Sequence, residues 1–167
     1  MLFGGSMQRT KKNHGFTLIE LMVTIAVMAI IATMAAPSFG NIRINQKLKL
    51  SVMEMKTGIQ QGRSRAILTR SLTVVCPSRV VTPTVIATCG ANITDYSSLS
   101  ASQKLDSVLL PKVENDISIK AGSADHFLFN AQGITTNKTI TLCGIDKSSA
   151  INVDGPGVIT ITEGGAC

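Results

Sequence analysis

The sequence predicts an α+β protein: a long N-terminal helix, hydrophobic at first, packed on an antiparallel β-sheet head. Three observations carry this. From Leu21 to Phe39 there is no charged residue, a run of about the length at which a helix covers a hydrocarbon core. Leu48, Val52, Met55, Ile59, Gly62 and Ala66 then recur at alternating spacings of four and three, which is one face of a helix. After Ser71 the chain breaks into short β-rich segments punctuated by Pro, Gly, Asn and Cys, the pattern of strands and turns.

The first element begins before the apolar run. Arg9, Lys11 and Lys12 precede Gly15, and a single acid, Glu20, stands near the start of the hydrophobic segment. A secretory signal would have a shorter apolar core followed by small residues at a cleavage site. Here the apolar stretch is longer and the glycine stands before it. A plain anchor leaves Glu20 unexplained, since an ionisable group within such a segment needs a partner. Pro37 lacks a main-chain donor and is expected to kink the helix. The helix is expected to turn from hydrophobic all round to amphipathic, as when a rod leaves lipid and packs on a head, and to end near Arg70.

Beyond it, "SLTVVCPS" and "VVTPTVIATC" read as β-rich, followed by "DHFLFNAQG", "KTITLCG" and "GVITIT". Between them, Ser107–Leu110 and Ile117–Lys120 read as weaker strands.

The net charge of +6 suggests nucleic acid or a membrane as partner, but its distribution argues against the first. The bases gather before and along the helix, whereas after Ser71 six bases face eight acids. The cysteines are Cys76, Cys89, Cys143 and Cys167. Without a C-x-x-C pair or a nearby His, zinc is a poor reading. An even count behind an export-like segment favours disulfides. Three connectivities are open, of which the most local, Cys76–Cys89 with Cys143–Cys167, is preferred. No catalytic residue, metal site or cofactor is expected. Asp125-His126 beside several serines is not a triad without geometry, and no G-x-S-x-G elbow is present.

Gly15-Phe16-Thr17-Leu18-Ile19-Glu20 resembles the processing site of type IV prepilins and type II secretion pseudopilins, and Pro37 falls where many pilins carry a proline. The resemblance implies that a prepilin peptidase cuts after Gly15 and methylates the new N-terminal Phe16. Residues 1–15 would then be a cleaved leader, 16–70 the helix, membrane-spanning over 16–39, and 71–167 the disulfide-bonded β-rich head. The freed amine, with a reference pKa of about 8, would be protonated. Glu20, one turn away, could pair with it, or with the amine of a neighbouring subunit and so set the axial register.

"QGRSRAILTRSLTVVCPS", the second cysteine Cys89, "FNAQG" and "ITLC" resemble the GspH/FimT-type minor pilins and pseudopilins. That group implies a pilin-like fold and a minor pilin of type IV pilus assembly, in the initiation or tip complex, supporting twitching motility, adhesion or DNA uptake. The alternatives are a type II secretion minor pseudopilin and a DNA-binding minor pilin. Expected partners are other minor and major pilins in a filament, the prepilin peptidase, and the inner membrane before assembly. The expected location is the inner membrane, single-pass with a periplasmic head, and then the pilus or cell surface. DNA-binding members carry a basic Gly-Arg-x-Arg-like tail. Here the tail is "GVITITEGGAC", and the similar Gly62-Arg63-Ser64-Arg65 lies in the helix. Arg63, Arg65 and Arg70 are the candidate DNA contacts, and nucleic acid is the disfavoured partner.

Overall fold

The computed structural model describes residues 15–167, the side chains of 34–38 excepted. The leader residues 1–14 and the kink expected at Pro37 lie outside the described residues.

Helix α1 spans Leu18–Thr69. The chain divides into two units, the second beginning at Gly40. In the first, every described residue is exposed. Among the described residues no helix is long and apolar enough to cross a membrane. The expected span runs through residues 34–38.

The second unit holds the core. After α1 come β1 (Thr73–Val75), α2 (Pro83–Gly90), a 3-10 turn (Tyr96–Ser98), α3 (Ala101–Ser107) and β2 (Val108–Leu109). Then follow β3 (Ser118–Ile119), β4 (Phe127–Phe129), β5 (Lys138–Cys143), β6 (Ser148–Val153) and β7 (Ile159–Gly164). The strands form two sheets, ordered β2-β1-β4 and β3-β5-β6-β7. All pairs are antiparallel except β1 with β2. A parallel pair needs a long crossover, and α2 and α3 lie within it.

The amphipathic stripe organises the packing. Leu48, Val52, Met55, Ile59 and Ala66 are all buried, in one cluster with Val75, Phe127 and Phe129 of the first sheet and Ile140, Leu142, Ile151 and Val153 of the second. Burying a side chain of this size contributes about 1.5–3 kcal/mol. A second cluster, with Val74, Cys76, Cys89, Ile93 and Val108, fills the opposite face of β1. Successive strand side chains point to opposite faces, so Val75 meets α1 while Val74 meets α2. Gly62 lets β1 come close, because a Cβ there would stand 2.3 Å from Val75 Cγ2.

One expected strand is instead a helix. "VVTPTVIATC" becomes α2, because Thr82 caps it, its side chain accepting from the Val85 N–H, and Pro83 occupies the first turn. These start signals outweigh the β-branched composition. Two elements were not foreseen. Helix α3 is set by a capping box in which Ser100 and Gln103 satisfy each other's main-chain N–H. Strand β6, "SSAINV", alternates half-buried and buried, but its two serines and an alanine hide the period.

Replacing Gly62 by Ala is expected to destabilise the protein. Overpacking costs about 1–3 kcal/mol, only partly offset by about 1 kcal/mol of helix propensity. Gly40→Ala, with nothing within 4 Å of its Cβ, should not destabilise. Urea denaturation of both variants checks the difference.

Candidate functional site

The candidate processing site is exposed. A Cβ on Gly15 would meet nothing within 4 Å, and Phe16 is 83% exposed. The peptide bond between them is therefore accessible in the described chain.

Glu20 has a partner within its own turn. Its carboxylate Oε2 accepts from the Thr17 N–H at 3.4 Å, while the Thr17 hydroxyl accepts from the Glu20 N–H at 3.3 Å. This reciprocal pair is a capping box. The Thr17 carbonyl accepts the first helical bond, from Leu21 at 3.2 Å. The box lies in the signature Thr-x-x-Glu before an apolar run, so Glu20 has a hydrogen-bonding partner in its own turn besides any ionic one. A carboxylate in the first turn also faces the positive end of the helix dipole. The bond directs Glu20 back toward the start of the chain, one residue from the Phe16 nitrogen.

In the head, Cys76 is bonded to Cys89 and Cys143 to Cys167. The first bridge ties the chain after β1 to α2, and the second ties Cys167, just past β7, to the end of β5. The candidate DNA contacts are not gathered on one patch. Arg63 donates from Nε to the Gly133 carbonyl at 3.3 Å, and Arg65 pairs with Asp106 at 3.7 Å. Arg70 stands just past the helix end at φ 50°. His126 is held on both sides, by Asp125 Oδ1 at 2.7 Å from Nδ1 and by the Lys138 ammonium at 3.0 Å from Nε2. The lysine can only donate, so the ring proton sits on Nδ1 and donates to Asp125. Burial works to raise the Asp125 pKa, but hydrogen bonds from its own main chain and from His126 bring it below the ordinary value. The three side chains thus form a hydrogen-bonded chain, open to solvent at Asp125. Among the described residues no group of acids, His and Cys could hold a metal ion.

Comparisons with known proteins bear on the whole arrangement. Residues 10–36 match the prokaryotic N-terminal methylation motif. Residues 51–157, most of the chain, match the type II transport protein GspH model. The chain belongs to the GspH family. This GspH-family chain is also 47% identical over 46 residues to a prepilin peptidase-dependent protein A of Clostridium perfringens (strain 13 / Type A), a stretch that is 28% of the chain. It spans only a third of that relative's length. No solved structure matches it. Together these matches make the chain a GspH/FimT-like minor pilin or pseudopilin, in a family of structural subunits.

One ion pair fastens the GspH-family head near the middle of α1: Lys47 pairs with Asp116. Within the head itself Lys112 pairs with Glu114. The Glu114 N–H also donates to the Ser51 hydroxyl at 3.0 Å. The Lys47 hydrogen bond holds the Asp116 pKa below its ordinary value, and the Lys112 bond does the same for Glu114. A carboxyl depressed on folding contributes stability above its unfolded pKa of about 4 and loses it as pH falls through the lower folded value. The exposed setting keeps the contribution small. Lys47→Met should therefore lower the thermal midpoint slightly at neutral pH, with the difference from wild type vanishing at acid pH. Melting curves across the acid range check this.

Proposed function

We propose that this chain is a minor pilin of a type IV pilus, a structural subunit of the complex that starts polymerisation and sits at the filament tip. The observation that carries the reading is a GspH-type head directly behind a prepilin methylation motif. On this reading prepilin peptidase cuts after Gly15 and methylates Phe16. Residues 16–39 hold the subunit in the inner membrane with the head in the periplasm until assembly draws it into the filament. Other minor and major pilins are its neighbours there.

Glu20 then has two successive partners. In the free subunit it caps its own helix through Thr17. In the filament its carboxylate meets the protonated Phe16 amine of a neighbour, and the cost of leaving either charge buried alone favours the correct stagger.

A second reading, the minor pseudopilin of a type II secretion system, is favoured by the description of the matching family model. DNA uptake by this subunit itself is the weaker reading, because Arg63 and Arg65 are already engaged within the chain and phosphate binding needs several bases on one surface.

Mass spectrometry should find methylated Phe16 at the mature N-terminus, and replacing Gly15 by valine should leave an uncut precursor. Glu20→Ala should spare insertion and cleavage but lower the amount of subunit in sheared pili. Glu20→Gln separates the two roles, since glutamine can still serve the capping box but carries no charge. If charge pairing sets the register, Gln and Ala variants fail alike. A Gln variant incorporated as well as wild type would reduce Glu20 to a helix cap. Wild-type protein recovered with a secretion apparatus and absent from pili would favour the pseudopilin.

A further inference from the structure

The two edges of the four-stranded sheet are not alike. At one, β3 is only two residues long. Arg79 donates to the Asn115 carbonyl at 2.6 Å and to the Ile117 carbonyl at 2.9 Å, occupying main-chain acceptors just before that strand. A short strand guarded by a charge discourages further pairing. At the other edge, β7 runs for six residues and, among the described residues, pairs only with β6.

The ladder phase shows what β7 presents. Asp154 donates its N–H to the Val158 carbonyl at 3.1 Å, and antiparallel pairs alternate between bonded and non-bonded. The next pairs in register are Val153↔Ile159, Ile151↔Ile161 and Ser149↔Glu163, taken at every second residue. The main-chain N–H and C=O of Ile159, Ile161 and Glu163 therefore turn outward, away from β6. Their side chains share a face with buried Val153, Ile151 and Ser149, on the α1 side of the sheet. Ile161 is 40% exposed there.

The facing wall of α1 is basic. Lys49, Lys56 and Arg63 recur every seventh residue, on one side of the helix. Lys56 and Arg63 share a cleft of about 570 Å³ with Val158 and Ile159. Lys49 and Lys147 share another, of about 420 Å³, with Asp146 and Glu163. Among the described residues Lys49, Lys56 and Lys147 form no ion pair.

We infer that the β7 edge receives an extended segment of a neighbouring subunit, carrying acidic side chains at alternate positions that face Lys49 and Lys56 of α1. This rests on the proposed role as an assembly subunit. Main-chain bonds to the edge supply affinity, and alternate side chains set specificity. A second copy pairing β7 with β7 through a two-fold axis would run antiparallel. It would set the two α1 helices in opposite directions, against insertion in one membrane.

The test uses detergent-solubilised full-length protein and two fluorescent peptides, one alternating valine with glutamate and one alternating valine with lysine. Fluorescence anisotropy should show the acidic peptide binding about tenfold or more tightly than the basic one, with affinity falling as salt rises. Ile161→Pro removes an outward N–H, a position at which edge strands tolerate proline. It should weaken the acidic peptide about fivefold or more with circular dichroism unchanged. Lys56→Glu should weaken it similarly, and decides the matter if Ile161→Pro misfolds. Equal affinity for both peptides, or unchanged affinity in the folded variants, would overturn the inference. So would a dimer in sedimentation that Ile161→Pro abolishes, which gives the edge to a second copy. In cells, Ile161→Pro should lower incorporation into sheared pili at equal membrane level, and undiminished incorporation would refute the neighbour. Absence of the wild-type chain from pili would instead count against the proposed function, leaving the peptide result standing.

Discussion

The head depends on one stripe of α1. Without Leu48, Val52, Met55, Ile59 and Ala66 the two sheets would have no common surface to cover, since both contribute residues to the cluster that contains them. Neither sheet is large, and β1, β2 and β4 have three residues or fewer. Strands this short gain little from their own ladders, and a hairpin alone is marginal in water. Packing against the helix is what makes them persist. The close approach at Gly62 is part of the same constraint, because β1 reaches the core only where the helix lacks a side chain.

That constraint also explains what the sequence revealed. The α1 stripe was legible because six positions obey one period and nothing interrupts them. Strands β1, β4, β5 and β7 were legible because β-branched and aromatic residues cluster between turn signals; after β4, for instance, the Asn130 side chain accepts from the main chain of Gln132 and Ile134. Helix α2 was misread because Val85, Ile86 and three threonines look like strand residues, whereas the deciding signal was the Thr-Pro pair at its start. Strand β6 was hidden by small residues whose burial comes from neighbours and not from their own hydrophobicity.

At the candidate site the residues were legible and their relations were only partly so. Gly15, Phe16 and Glu20 stand out in the sequence through a charged prefix and a lone acid. The bond between Glu20 and Thr17 is less plain, since a hydroxyl and a main-chain N–H leave no trace in charge or hydropathy and only the Thr-x-x-Glu spacing marks them. Arg63 and Arg65 show the converse. Two bases near each other in sequence look like one patch, yet a spacing of two residues on a helix separates them, and each finds a different partner.

The bridge between Cys143 and Cys167 has a mechanical consequence. Strand β7 lies within the covalent loop that the bridge closes, at the edge of its sheet. A pull applied beyond β7 would ordinarily peel such a strand away one bond pair at a time, a low-force route. With Cys167 joined to β5, tension passes directly into an interior strand paired on both sides, and the edge strand hangs slack beside the loaded path.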